Sequence, residues 1–96
     1  MAENALTLKI VTPNEVHFEG PVQSVIAPAA QGYVGMLRSH APYVTTVSKG
    51  KLIYRKDGQT NTLAVSGGFL EVSNNRVVVL TDEVQAVEKT ATSVTI

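Results

Sequence analysis

Apolar and polar residues alternate with a period of two over several short stretches of this 96-residue chain. In residues 6–10 every second side chain is apolar, as in a strand with one buried face, and residues 16–18 repeat the pattern. Asp57-Gly58 and Asn74-Asn75 tolerate the positive φ angles of tight hairpin turns, and strand-like runs flank both pairs. Turn signals recur about every 8–12 residues, the spacing of a β-sandwich or barrel.

These patterns predict an all-β fold in one domain, with a sandwich or barrel architecture. We expect the domain to span residues 1–85 and a loosely held tail to span residues 86–96, which contain few apolar anchors. No amphipathic pattern of three helical turns is visible, and residues 82–89 are the best helical candidate. Valine and threonine are frequent, and their branched side chains favour strands.

Composition narrows the classes of function. Eight basic and eight acidic residues give a net charge of zero, so the basic face of a nucleic-acid binder is not expected. The absence of cysteine excludes disulfides, thiol catalysis and cysteine-ligated zinc. The first residues do not read as a signal peptide, and no apolar run approaches the roughly 20 residues of a membrane span. We therefore expect membrane association only through a partner.

Residues 32–42 read GYVGMLRSHAP and combine two glycines with a histidine. A P-loop needs four residues between its glycines, and a dinucleotide fingerprint needs a third glycine and a helix, so Gly32 and Gly35 fit neither motif. We interpret them as positions of positive φ or close backbone approach in a bent loop. His17 is the only other histidine, so we expect His40 to anchor a turn or to lie at an interface, with no metal site and no cofactor.

Residues 66–72 read SGGFLEV and form a second landmark. The Ser66 region resembles half of a nucleophile elbow, but that motif needs Gly-x-Ser-x-Gly between a strand and a helix. We therefore interpret Gly67 and Gly68 as a strand bend or bulge. Glu71 alternates with apolar neighbours and is expected to face away from them. We expect no catalytic residue and no enzymatic activity of the chain by itself.

At these two segments the chain resembles the N-terminal domain of the epsilon subunit of F-type ATP synthases. The first family pattern, Gly-x-x-Gly followed by two hydrophobic residues and His-Ala-Pro, corresponds to Gly32, Gly35, Met36, Leu37, His40, Ala41 and Pro42. The second pattern corresponds to Ser66, Gly67, Gly68, Phe69, Glu71 and Val72, followed by a hairpin and the strand 77–80. The opening strand and the turn from Phe18 to Gly20 also match, so the resemblance covers about residues 5–85.

The resemblance implies a flattened β-sandwich of about ten short strands in the central stalk of the rotary enzyme. There the domain packs on the gamma subunit and rests on the ring of membrane-embedded c subunits, as a peripheral subunit at the cytoplasmic face of the bacterial plasma membrane. The first segment is implied to be a loop facing that ring, with the candidates Gly32, Tyr33, Val34, Gly35, Arg38 and His40. Many family members carry an acidic residue where this chain has Tyr33, and an aromatic amphipathic contact could replace that charge.

The leading hypothesis is a non-catalytic rotor subunit that couples proton-driven rotation of the ring to ATP synthesis. Family members usually continue into a two-helix hairpin that can inhibit ATP hydrolysis; no such pattern follows Glu88, so we expect no inhibition of that kind. One alternative is a small all-β module that binds a sugar or peptide, which the 5% aromatic share disfavours. Another is a carrier domain with a modified lysine, for which Lys56 at the Asp57-Gly58 turn is the candidate.

Overall fold

In the computed structural model, which describes residues 5–87, ten β-strands form two five-stranded sheets. The strands are β1 (Leu6–Thr12), β2 (Glu15–Val22), β3 (Ser24–Ala29), β4 (Gly32–Met36), β5 (Tyr43–Thr46), β6 (Gly50–Lys56), β7 (Gln59–Ser66), β8 (Phe69–Ser73), β9 (Arg76–Leu80) and β10 (Glu83–Ala86). The expected all-β sandwich of about ten short strands is confirmed. No segment among the described residues forms a helix with the length and hydropathy that crossing a membrane requires.

The first sheet has the strand order β2-β1-β9-β8-β5, and the second has the order β10-β7-β6-β3-β4. Neighbouring strands are antiparallel except for β1 and β9, which run parallel. The registers place the turns at two opposite ends of the sandwich. We call one the Gly32 end, with the turns at 13–14, 30–31, 67–68 and 81–82, and the other the His40 end, with the turns at 23, 37–42, 57–58 and 74–75.

The core lies between the two sheets and follows the period-two pattern of the strands. Leu6, Leu8 and Ile10 of β1 are fully buried, while the residues between them are half-buried. Valines from β3, β7, β8 and β9 contribute most of the remaining buried side chains, together with Met36, Leu52 and Leu70. The rings of Phe18 and Tyr54, whose centroids are 4.6 Å apart, pack against this core, and burial raises the pKa of the Tyr54 hydroxyl.

Several boundaries differ from those that the sequence predicts. The helical candidate at 82–89 is wrong over its described part, because β10 pairs there with the edge of β7, from Glu83↔Ser66 to Ala86↔Leu63. Strand β2 continues through Pro21, which an edge strand tolerates. The expected boundary after residue 85 falls inside β10, and residues 88–96 of the expected tail lie outside the described residues.

The chain crosses from the second sheet to the first at Gly67 and Gly68, whose φ angles are +77° and +106°. The hydroxyl of buried Thr81 lies 3.2 Å from the carbonyl oxygen of Ser66 and 2.8 Å from that of Gly67, within hydrogen-bonding distance of both. The Val47 amide donates to the Gly68 carbonyl oxygen at 2.9 Å. The glycine pair therefore bends the backbone, but it does so in the connection between two sheets and not as a bulge within one strand.

Candidate docking surfaces

Residues 32–42 do not form a single loop. Gly32–Met36 is strand β4, which pairs with β3 from Val25↔Met36 to Ala29↔Gly32 and runs between the two ends of the sandwich. Met36, predicted in the loop, is instead buried in the core because it faces inward from β4. At about 3.3 Å per residue, the strand separates Gly32 from the turn at 37–42 by well over 10 Å. The structure therefore places Gly32 and Tyr33 at one end and Arg38 and His40 at the other.

His40 organises the turn that follows β4. Its backbone amide donates to the carbonyl oxygen of Leu37 at 3.1 Å, and Ser39 between them has a φ of +71°. Its ring Nδ1 donates to the carbonyl oxygen of Ala41 at 2.7 Å, since a carbonyl oxygen can only accept. The turn-anchoring hydrogen bond, one of the two alternatives for this histidine, is present. Leu37 and Arg38 at the tip of the turn are exposed.

Asn75 connects this turn to the rest of the His40 end. Its side-chain oxygen accepts a hydrogen bond from the Ser39 amide at 2.6 Å, and its backbone carbonyl accepts one from the Thr7 amide at 2.9 Å. Asn75 adopts a φ of +61° in the β8–β9 hairpin, a conformation that asparagine tolerates. One residue therefore joins the turn after β4, the β8–β9 hairpin and the first strand.

Replacing Asn75 by glycine should lower the free energy of unfolding, because the Ser39 amide loses its side-chain acceptor. Asn74→Gly is the matched control: it shares the positive φ, at +50°, but its side chain makes no hydrogen bond among residues 5–87. Urea denaturation followed by circular dichroism should show Asn75→Gly to be less stable than Asn74→Gly by about 1 kcal/mol. Equal stability of the two variants would show that the hydrogen bond between the Ser39 amide and the Asn75 side chain does not stabilise the domain.

Tyr33 bridges two strands rather than projecting freely from the protein. It lies opposite Pro28 in the β3–β4 ladder, and its hydroxyl oxygen accepts a hydrogen bond from the Lys51 amide of β6 at 3.1 Å. One face of the side chain remains accessible, since 59% of the residue is exposed. Exposure and an anchored hydroxyl together suit the amphipathic contact expected of this tyrosine.

An apolar patch covers part of the outer face of the first sheet. Each of the five strands of that sheet contributes at least one side chain to it. These residues are Val11, Val16, Val44, Phe69, Val78 and Leu80. The registers place Phe69, Leu80 and Val11 side by side across the sheet. Phe69 is 57% exposed and Val44 is 66% exposed. In the adjoining row, exposed Glu71 lies between Val44 and Val78. The row of Phe69, Leu80, Val11 and Val16 is contiguous apolar surface of the kind that marks a binding site.

Two shallow hollows flank the Phe69–Leu80 pair on this patch. One, of about 300 Å³, reaches toward the Gly32 end and is also lined by Val11, Pro13 and Thr81. The other, also of about 300 Å³, is lined by Val44, Glu71 and Val78 together with the same pair. Apolar side chains of a partner can pack into these hollows, on either side of the protruding Phe69 and Leu80 side chains.

The outer face of the second sheet has the opposite character. Ile26 and Tyr33 are its large apolar residues with substantial exposure among those described, at 40% and 59%. The half-buried Ile53 lies opposite Ile26, and polar or charged side chains predominate over the rest of the face, among them Lys51, Arg55, Thr60, Glu83 and Gln85. The sandwich therefore has one outer face suited to an apolar partner and one suited to water.

Most of the apolar patch is not predicted by the sequence motifs. Phe69 and Glu71 belong to the second motif, and the structure exposes both side chains while burying their neighbours Leu70 and Val72. The missed signal lies in β9, where four apolar residues follow one another without alternation. An uninterrupted apolar run indicates a strand covered on both faces, and here only the inner face is covered by the domain itself.

The fold and its surfaces define a small β-sandwich domain with one apolar outer face that the described chain leaves open. The chain belongs to the family described as ATP synthase, Delta/Epsilon chain, beta-sandwich domain, which matches residues 5–87.

Relatives with the name ATP synthase epsilon chain share the domain. The one from Desulforamulus reducens is 44% identical over 82 residues, which is 85% of this chain and 62% of the relative. The one from Leptospira interrogans is 38% identical over 82 residues, with 85% of this chain and 65% of the relative covered. That of Chlorobaculum tepidum is 40% identical over 84 residues, covering 86% of this chain and 96% of the relative. The chain thus spans less than two thirds of two of these relatives and nearly all of the third.

Solved structures share the fold at lower identity. A chain of the Euglena gracilis mitochondrial ATP synthase, in a structure of its OSCP, F1 and c-ring, superimposes with a TM-score of 0.82 at 23% identity. The match covers 86% of this chain and 54% of that one. A chain from the central stalk and c-ring of the Tetrahymena thermophila enzyme gives a TM-score of 0.72 at 13% identity, covering 90% of this chain and 69% of that one.

Proposed function

We propose that this chain is a non-catalytic subunit of the central stalk of an F-type ATP synthase, which links the gamma subunit to the c-ring and couples the proton gradient to ATP synthesis. It would lie at the cytoplasmic face of a bacterial plasma membrane, held there only through the complex. Family membership over residues 5–87 and relatives that are ATP synthase epsilon chains support the proposal. The chain acts in it as a rigid connector, without a bound cofactor or metal.

The apolar patch is the observation that carries the proposal. Phe69, Leu80 and Val44 place apolar surface in water, which is unfavourable unless another protein covers it. We assign this patch to the gamma subunit, because a permanent stalk contact requires an apolar centre. A sugar- or peptide-binding sheet face would instead need a platform of several aromatic rings, and Phe69 is the single aromatic residue of the patch.

The Gly32 end is our candidate for the surface that rests on the ring. Its turns present polar side chains, among them Asn14, Gln31, Lys49 and Asp82, which suit contacts with polar loops. Of the six ring-facing candidates, Gly32 and Tyr33 lie at this end, while Val34 and Gly35 continue along β4. Arg38 and His40 lie at the opposite end, so a ring contact through the Gly32 end excludes them from the same surface.

The division into a domain and a short tail belongs to the same proposal. The family match over residues 5–87 supports a single β-sandwich domain that carries the docking surfaces.

The proposal is tested by mixing the purified chain with a purified gamma subunit from a bacterial F-type ATP synthase. We expect a one-to-one complex in size-exclusion chromatography at micromolar concentration, where a standard-sized interface with an apolar centre remains associated. A matched run of the chain with an unrelated β-sandwich protein in place of gamma controls for nonspecific adhesion to the apolar patch. Separate elution of the two proteins across this concentration range would overturn the assignment of gamma as the partner.

A further inference from the structure

We propose that Tyr33 is a positioning residue, whose hydroxyl replaces a missing strand contact and holds the tip of the β3–β4 hairpin at residues 30–31. Tyr33 is thereby part of the internal framework of the Gly32 end as well as of its surface. The functional part of this inference rests on the proposed function, because it assigns that end to the ring. The structural part stands on the contacts of the chain alone.

The second sheet has a gap between β3 and β6 near the Gly32 end. The ladder between these strands runs from Ser24↔Arg55 to Ile26↔Ile53 and stops there, although β6 begins at Gly50. The first residues of β6 therefore pair with β7 on one side and have no β3 partner on the other. A backbone amide in that position needs another acceptor or water.

Tyr33 provides that acceptor from the next strand. The Lys51 amide donates to its hydroxyl oxygen at 3.1 Å, across the position of Pro28, the residue opposite Tyr33 on β3. Pro28 has no N–H of its own and is buried beneath this contact. A side chain of β4 therefore forms a hydrogen bond with the backbone of β6, across the part of β3 that no longer pairs with β6.

Gly50 provides the space that this contact requires. A Cβ atom at residue 50 would lie 2.7 Å from the Tyr33 hydroxyl oxygen and 3.0 Å from Cβ of Pro28. Gly50 is not among the glycines with positive φ, so the close approach, and not the backbone conformation, explains a glycine here. Tyr33 and Gly50 thus form a matched pair across two strands.

The hairpin tip is also held from the β5–β6 connection. The Ser48 amide donates to the Pro28 carbonyl oxygen at 2.9 Å, and the Ser48 hydroxyl donates to the Ala29 carbonyl oxygen at 3.2 Å. Ala29 forms a β-bridge with Val47. Contacts from Ser48 and from Tyr33 therefore hold the hairpin on both of its strands, which gives its tip one position relative to the sheets.

The structural part is tested by amide hydrogen exchange, measured by NMR on the full chain and on Tyr33→Phe. We expect exchange of the Lys51 amide to become about five- to tenfold faster in Tyr33→Phe, the ratio that a typical net hydrogen bond represents. The Leu52 amide, which faces β7, should be unchanged. Tyr43→Phe is the matched control, because among residues 5–87 the Tyr43 hydroxyl makes no hydrogen bond. Unchanged Lys51 exchange in Tyr33→Phe would overturn the inference.

Gly50→Ala supplies an independent measurement of the same pair. It should lower the melting temperature less in the Tyr33→Phe background than in the unaltered chain, because the contact with the hydroxyl oxygen no longer exists. If Gly50→Ala lowers the melting temperature equally in both backgrounds, Gly50 does not make room for the Tyr33 hydroxyl.

The positioning role is tested by binding of each variant to a purified assembly of gamma and c-ring. We expect Tyr33→Phe and Gly50→Ala to bind at least about fivefold more weakly, while Tyr43→Phe binds like the unaltered chain. Faster Lys51 exchange with unchanged affinity would overturn the positioning role. If the unaltered chain itself fails to bind, the proposed function is wrong, and the exchange measurement still decides whether Tyr33 holds the hairpin.

Discussion

Gly68→Ala should lower the free energy of unfolding of the domain by more than about 3 kcal/mol. A Cβ atom at this position would overlap the carbonyl oxygen of Leu80 and lie 2.7 Å from Cα of Thr81. Both obstacles are backbone, so no side-chain rotation can relieve them. The φ angle of +106° adds strain for any residue with a side chain. The combined penalty exceeds about 3 kcal/mol, a large share of the 5–15 kcal/mol that stabilises a typical domain.

Gly32→Ala is the matched control for this substitution. Gly32 has a similar φ of +121°, but a Cβ atom there would meet no other atom within 4 Å. Conformational strain alone should then destabilise Gly32→Ala by about 1–3 kcal/mol. Urea denaturation followed by circular dichroism suits a chain without tryptophan and gives both values. If the two variants are equally stable, β8 does not approach the end of β9 as closely as described.

Phe69→Glu should strongly weaken binding to gamma while the sandwich remains folded. Phe69 is 57% exposed, so the substitution removes little buried surface from the isolated chain. In a complex, the carboxylate would have to be desolvated at the centre of an apolar interface. Aromatic residues in such positions often account for about 2 kcal/mol or more, so we expect the affinity for gamma to fall at least about thirtyfold.

Ile26→Glu provides the comparison on the other outer face. Ile26 is 40% exposed on the outer face of the second sheet, opposite Gly35 and Ile53, so the same charge enters a surface that we do not assign to gamma. Titration calorimetry with gamma should give an unchanged dissociation constant for Ile26→Glu. Equal weakening by both substitutions would show that the effect is one of net charge. If both variants bind gamma as tightly as the unaltered chain does, gamma docks elsewhere.

Most strands could be predicted from sequence because their inward positions alternate with polar ones. Strand β4 could not, since GYVGM has a glycine near each end and its pattern resembles a bend. Its extended conformation depends on pairing with β3 and on the burial of Met36, neither of which is local information. The same limit explains β10, whose Glu83–Ala86 segment is extended because the edge of β7 is available to it.

The candidate surfaces were harder to predict from the sequence than the fold was. Residue type sufficed to predict a turn anchored by His40, but the partner of that turn, Asn75, is 36 residues from Ser39 along the chain. Tyr33 was identified as unusual, whereas its contact with Lys51 depends on where β3 leaves β6. The apolar patch depends on register, because Phe69, Leu80 and Val11 become neighbours only when three strands are aligned.

The parallel pairing of β1 with β9 has a consequence for how the protein is made. Strand β1 leaves the ribosome before the other described strands, and β2 can pair with it at once, but its other edge stays unpaired until β9 emerges. Contacts between such distant parts of a chain slow folding, and an unpaired strand edge can recruit another chain meanwhile. The first sheet therefore closes only after β9 has emerged, so substitutions that delay the β8–β9 hairpin should reduce the yield of soluble protein more than its final stability.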